Sequence, residues 1–258
     1  MPEFFTGRLK NVLKKNQLSL GMWVTIPCAE VPEALSRIGF DWFVFDTEHA
    51  PTSLETVQRL LPSLNGSNTM PIIRVAWNDI VMIKRALDLG VEGIIVPWVN
   101  TKEDASKAVR ACRYPPQGIR GVGPRRAAVY GLDPSYYKRA NENIALIVQI
   151  ETQEAIDNVD EILDVEGVDS FFIGPQDLSF SLQVPHDYGS QRFRTAIDRV
   201  LEAGKKSGKP GGIYTSGAQD AIKYINKGFK FIALSSDVKL LVNAVKKELE
   251  ATRSEVTK

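Results

Sequence analysis

Ile144-Ala145-Leu146-Ile147-Val148-Gln149-Ile150-Glu151 is a nearly continuous apolar run that closes on Gln149 and Glu151. A run of this length suits a strand buried on both faces of a parallel sheet, with helices covering each side. The pattern recurs at residues 20–26, 42–47, 71–76, 93–99, 168–173, 211–215 and 231–235. Between these runs lie segments of helical period, such as Asp79-Ile80-Val81-Met82-Ile83-Lys84-Arg85-Ala86-Leu87. Gly90, Gly167 and Gly228 stand where helices should stop. Ser53 and Ser216 stand where helices should start. Eight strands with interposed helices predict an α/β chain folded as a closed (β/α)8 TIM barrel, one catalytic domain over residues 1–258. The alternative, an open doubly wound sheet, lacks its glycine signature, because no Gly-x-Gly-x-x-Gly follows any strand.

Composition agrees and excludes several classes. The 258 residues match the length such a barrel needs, about 250. A formal net charge of +1 offers no basic field, and no Lys/Arg cluster is interleaved with aromatics, so no nucleic-acid partner is expected. No apolar run reaches the roughly 18 residues of a membrane span, and residues 1–16 lack the apolar stretch of a secretory signal. The expectation is a cytoplasmic protein with no membrane partner. Cys28 and Cys112 form no disulfide framework and have no Cys/His companions for a zinc site. Residues 114–141, rich in Pro and Gly and carrying Arg120, Arg125 and Arg126, read as an ordered functional loop. Residues 238–250 read as an amphipathic helix, with a frayed tail over 251–258.

Active sites of such barrels lie at the carboxyl ends of the strands. The polar residues there are Trp23 and Thr25; Asp46, Glu48 and His49; Arg74; Gln149 and Glu151; Gly174, Pro175, Gln176 and Asp177; Tyr214, Thr215 and Ser216; and Ser235, Ser236 and Asp237. Carboxylates that converge must be protonated, paired or metal-bound. Glu151 and Asp177, delivered by adjacent strands, suit an oxygen-ligated Mg²⁺ or Mn²⁺ that keeps waters and takes further ligands from substrate. Arg74, inside an apolar strand, needs an anion, and a small carboxylate substrate is a natural one. No lysine stands at a strand's carboxyl end, which disfavours a Schiff base and favours a metal as the carbonyl-polarising group. Trp23 and Trp98 read equally as pocket wall or core, and Thr215-Ser216-Gly217 equally as an anion cradle or an ordinary cap. His186 reads as a surface residue.

Several blocks, in order at matching strand ends, carry a family resemblance. They are Asp46-Thr47-Glu48-His49-Ala50-Pro51, Ile73-Arg74-Val75-Ala76-Trp77-Asn78-Asp79, Arg113-Tyr114-Pro115-Pro116-Gln117-Gly118-Ile119-Arg120-Gly121-Val122-Gly123, Val148-Gln149-Ile150-Glu151-Thr152 and Phe172-Ile173-Gly174-Pro175-Gln176-Asp177-Leu178-Ser179. With them, nearly the whole chain resembles the HpcH/HpaI aldolases, class II pyruvate aldolases acting on 4-hydroxy-2-oxo acids. The resemblance implies reversible retro-aldol cleavage to pyruvate and an aldehyde. It implies Glu151 and Asp177 as ligands of a divalent metal, Mg²⁺ or Mn²⁺ first and Co²⁺ or Zn²⁺ next. Arg74 would stand beside the keto oxygen, and His49 would be the general acid/base, with Asp46 in the same loop. Gln149 and the backbone at Gln176 would meet the substrate, alongside Gly174, Pro175, Trp23 and Tyr214. Asp88 would support the histidine of a neighbouring subunit, which implies a homo-oligomer, trimer or hexamer, with an exchanged C-terminal helix. Thr47 and Gln176 stand where the family usually has Gly and Ala, and Tyr214 is bulkier than usual, so the aldehyde partner is expected to differ. Rival readings of the same residues are an oxaloacetate decarboxylase or other pyruvate-enolate C–C bond-forming enzyme, a citrate-lyase-type CoA-thioester lyase using the Arg120–Arg126 segment, and a non-catalytic binding protein.

Overall fold

The computed structural model describes residues 7–256. Its strands are β1 (Ser19–Val24), β2 (Trp42–Asp46), β3 (Met70–Arg74), β4 (Gly93–Val96), β5 (Ala145–Ile150), β6 (Ser170–Ile173), β7 (Gly211–Tyr214) and β8 (Phe231–Ser236). Each pairs in parallel with the next, and β1 pairs with β8, so the sheet closes in chain order. The predicted (β/α)8 barrel is the observed fold. Several strands stop short of the predicted runs: β3 ends at Arg74 rather than Ala76, and β4 at Val96 rather than Val99. The apolar pattern continues past the ladder because the rim residues stay packed while the backbone turns outward. Trp98 makes that turn with a φ of +52°, rare for a residue with a side chain.

The strands are buried on both faces, as their composition requires. Inside the barrel Trp42 stacks on Phe231 at 4.1 Å, and Phe172 meets Phe231 edge-on. Gly21 makes room for this filling, since a Cβ there would lie 2.0 Å from the Trp42 ring. Outside, a larger apolar layer joins the strands to the helices, including Phe45, Ile83, Ile94, Val148, Ile162 and Ile197. Ser53 caps its helix as expected, accepting from the Thr56 N–H at 3.2 Å. Gly90, Gly167 and Gly228 all take positive φ, and Gly228 ends the helix Ala218–Lys227. Ser216 does not cap that helix. Gly217 holds the cap position, and the Asp220 carboxylate reaches back to the Ser216 N–H at 3.1 Å.

Two segments differ from expectation. Residues 114–141 are more than a loop: they contain a short 3-10 turn, Val129–Gly131, and lead into the helix Tyr136–Asn143. Arg120 is buried there, ion-paired to Asp88 at 2.7 Å with its guanidinium 4.5 Å from the Tyr114 ring centre. The last helix, Asp237–Val256, continues through the residues expected to fray; residues 257 and 258 lie outside the described chain. Val238, Leu241, Val242, Val245 and Leu249 on it are exposed. No helix among the described residues is long and apolar enough to cross a membrane.

Asp237 latches this helix to the barrel. Its carboxylate accepts from the Thr25, Ile26 and Val238 N–H groups and from the Thr25 hydroxyl, at 2.6–3.0 Å. Asp237→Ala strands these donors, and should lower the unfolding free energy by about 2–4 kcal/mol. The expected readout is a lower urea midpoint with an unchanged slope; an unmoved midpoint would show that the latch contributes nothing.

Candidate active site

A cavity of about 770 Å³ opens at the carboxyl ends of the strands. It brings together Trp23, His49, Arg74, Gln149, Gly174, Pro175, Gln176, Asp177 and Tyr214. Glu151, just past the end of β5, is 1% exposed and lies behind the cavity wall, against the lining residues Gln149 and Gly174. One of its carboxylate oxygens accepts from the Trp98 backbone N–H at 2.9 Å, and the other accepts from the Gln149 side-chain amide. Gly174, just past β6, comes so close that a Cβ would sit 2.5 Å from Glu151 Oε2 and 2.8 Å from Gln149 Nε2. Asp177 occupies the first turn of the helix Pro175–Ser181.

Electrostatics single out the acids. Burial pushes the Glu151 carboxyl from the ordinary 4.5 up to about 7; Asp177 and Glu48 add to the rise, and the Trp98 N–H opposes it. Glu48 is also pushed up to about 7, by burial first and by Asp46 and Asp177, against the pull of Arg74. The Arg74 guanidinium donates through Nε and Nη2 to Asp46 at 2.9 and 2.7 Å, and Nη1 lies 3.0 Å from Glu48 Oε2. Burial works against its charge, but Asp46, Glu48 and Glu151 hold its pKa above the usual value. Its expected need for a substrate anion is therefore met by the chain itself. Asp46 is fully engaged: it also accepts from the Glu48 N–H at 3.0 Å, and its part is to position Arg74 and the following turn.

His49 lies on the cavity wall, its side chain 62% exposed and Nε2 3.8 Å from Glu48 Oε1. Asp88 is not brought to this histidine. It lines a separate cavity of about 260 Å³ with Arg125 and Arg126, held by Arg120. In the basic segment suggested for a CoA groove, Arg120 is buried in its ion pair and Arg126 donates to the Leu89 carbonyl at 2.8 Å, so both are already engaged within the chain. His186 is exposed, stacked edge-on against Phe180, outside the site. Trp23 is both core and wall: it is buried, packs on Phe172 and Tyr214, and lies 5.6 Å from the Arg74 guanidinium. Trp98 is neither; its exposed ring pairs with Trp77 while its backbone serves Glu151.

The strand-end reading placed Glu48 at the rim but gave it no role, and it missed other residues altogether. The Trp98 N–H left no sequence signal, being backbone. Lys223 and Lys239 also line the cavity. They come from helices, so a survey of strand ends passes over them. Crowded, half-compensated carboxylates fit a hard divalent cation. Among the described residues no group of three His, Cys, Asp or Glu side chains is placed to hold a metal ion. Glu151 and Asp177 would therefore be a partial shell, with substrate and water oxygens supplying the rest.

A barrel mouth that gathers buried acids, an arginine and a histidine around a cavity of this size defines an enzyme for small polar substrates. Residues 19–244 match the model of the HpcH/HpaI aldolase/citrate lyase family, and the chain belongs to that family. Both named activities break a carbon–carbon bond, and the chain is a carbon–carbon lyase. It is similar to the 5-keto-4-deoxy-D-glucarate aldolase of Escherichia fergusonii, 41% identical over 92% of this chain and 93% of that protein. A crystal structure of a family member from Burkholderia cenocepacia superposes with a TM-score of 0.93 at 35% identity, over 96% of this chain and 100% of that one. A crystal structure of a citrate synthase superposes at 0.86 with 28% identity, over 97% and 99%.

Gly174→Ala should displace the Glu151 carboxylate and weaken Mg²⁺ or Mn²⁺ binding by calorimetry at least about tenfold while the barrel stays folded; unchanged binding would remove Glu151 from the cation site. The raised carboxyls also set a pH dependence. In the folded state Glu48 and Glu151 hold protons up to about 7 that the unfolded chain releases near 4.5. Their contribution to stability is fully present below 4.5 and lost as pH rises through 7. Metal-stripped protein should accordingly lose thermal stability across that window, and added Mn²⁺ should restore more of it at pH 8 than at pH 5.5. A Mn²⁺ shift in melting temperature that does not grow with pH would contradict this assignment.

Proposed function

We propose that the chain cleaves a 4-hydroxy-2-oxo acid reversibly to pyruvate and an aldehyde, with Glu151 and Asp177 holding a divalent cation, Mg²⁺ or Mn²⁺ in preference. The observation that carries this is the cluster of Glu48 and Glu151, both raised toward neutrality, with Asp177 contributing to each rise, around the single buried Arg74. The names of the relatives support it. Their substrate, a keto-deoxy glucarate, is a 4-hydroxy-2-oxo acid when read from its keto end. A divalent cation at this position supplies a Lewis acid for the oxygens of a 2-oxo acid.

The chain's own residues do the rest. Gln149 and the backbone at Gln176 orient the 2-oxo acid against Gly174 and Pro175. His49 Nε2 takes the proton of the 4-hydroxyl, the C3–C4 bond breaks, and C4 leaves as the aldehyde carbon. Arg74, kept charged by Asp46 and Glu48, stabilises the negative charge that develops on the keto oxygen. Trp23 and Tyr214 wall the site and limit water. The freed C3 then takes a proton to give pyruvate. Asp88, remote from this chain's own His49, is assigned to the histidine of a second copy. The exposed apolar residues of Asp237–Val256 are the surface on which a trimer or hexamer would form. Aldehyde-free consumption of oxaloacetate is the second chemistry open to the same residues, and parallel assays with and without aldehyde separate the two.

Glu151→Ala and Asp177→Ala should each lower metal-dependent cleavage by more than about 100-fold, and EDTA should do the same to the unaltered chain. Full turnover in EDTA would sink the proposal. Arg74→Ala should lower kcat at least as much as it raises KM; a pure KM effect would deny it a role in the transition state.

A further inference from the structure

We infer that Lys223 and Lys239 form a subsite for a carboxylate on the aldehyde half of the substrate, so that the enzyme prefers short hydroxylated aldehydes ending in a carboxylate. The inference rests on the aldolase reading above. The cavity wall carries Arg74, Gln149 and Asp177, and also Lys223 from the helix Ala218–Lys227 and Lys239 from the helix Asp237–Val256. An aromatic wall joins them. The Arg74 guanidinium lies 5.6 Å from the Trp23 ring, Trp23 is 5.9 Å from Tyr214, and Lys239 Nζ is 5.9 Å from Tyr214.

Neither lysine forms an ion pair with Asp or Glu among the described residues. Lys223 Nζ rests 5.0 Å from the Tyr224 ring and Lys239 against Tyr214, whereas Lys227 and Lys246 on the same two helices are paired with Asp198 and Glu250. Two ammonium groups on aromatic faces in a cavity wall are placed to receive an anion. The nearby helix start does not compete for that task, because Asp220 already accepts from the Ser216 N–H and meets its hydroxyl at 3.4 Å. The same carboxylate disfavours a doubly charged phosphate and offers an acceptor for a substrate hydroxyl. Cleaving a keto-deoxy sugar diacid between C3 and C4, counted from the keto end, puts the second carboxylate on the aldehyde fragment. With the 2-oxo acid beside Arg74, that carboxylate extends along Trp23 and Tyr214 toward the lysines.

The test is aldol synthesis from pyruvate with a matched pair of acceptors, 2-hydroxy-3-oxopropanoate and glyceraldehyde, which differ in a carboxylate against a hydroxymethyl group. The unaltered enzyme should prefer the acid, and the preference should shrink in high salt. Lys223→Ala and Lys239→Ala should each cut the acid-to-neutral ratio of kcat/KM by about fivefold to tenfold, chiefly through KM for the acid. The double variant should cut it further, and Lys239→Arg should restore it. A double variant with an unchanged ratio, or one that loses both acceptors equally, overturns the subsite. Failure of the unaltered enzyme to join pyruvate to either acceptor overturns the aldolase reading itself, and the subsite falls with it.

Discussion

One buried arginine faces more carboxylate than it can neutralise. Arg74 is bound through its fork by Asp46 and touched by Glu48, while Glu151 and Asp177 act on the same space. Burying charge without compensation costs several kcal/mol per ion, so a site of this kind must protonate, pair or bind a cation. The chain uses the first two where it can. Asp46 is paired outright, Glu151 is held by a backbone N–H and an amide, and Glu48 and Glu151 have moved toward the neutral form. The cation proposed for Glu151 and Asp177 would relieve both at once.

The barrel makes that imbalance possible. Parallel pairing sets Asp46 of β2 opposite Arg74 of β3, and sets β5 and β6 side by side. The aromatic filling of Trp42, Phe231 and Phe172 below, with Trp23 above it, keeps the polar residues at the mouth. Two backbone features complete the arrangement. Gly174 leaves the space that the Glu151 carboxylate fills, and Trp98 accepts an unusual φ that accompanies its N–H donation to that carboxylate. Such strain persists where surrounding packing over-determines it, commonly at functional sites.

Much of this was legible in the chain. The apolar runs, the stop glycines and the acids at the ends of the fifth and sixth runs all follow from local periodicity, which a strand or helix imposes on its own residues. Partnership was less legible. Arg74 read as a cation awaiting a substrate, yet Asp46, two residues before Glu48 in the same turn, already meets it. Arg120 read as part of a basic loop, yet it is buried against Asp88 and Tyr114 from other parts of the chain. Ser216 read as a cap, and Asp220 took its place from one turn further on.

The amino-acid sequence by itself determined the barrel, the order of its strands and the identity of the two acids that follow the fifth and sixth strands. Each of these depends on residue pattern within a few positions or on strand order along the chain. Only the tertiary structure decided which charges are spent on one another, that Glu48 joins the acid cluster, and that Lys223 and Lys239 face the same cavity as Arg74. Those facts depend on distances between residues far apart in sequence, which exist only once the sheet has closed and the helices have packed around it.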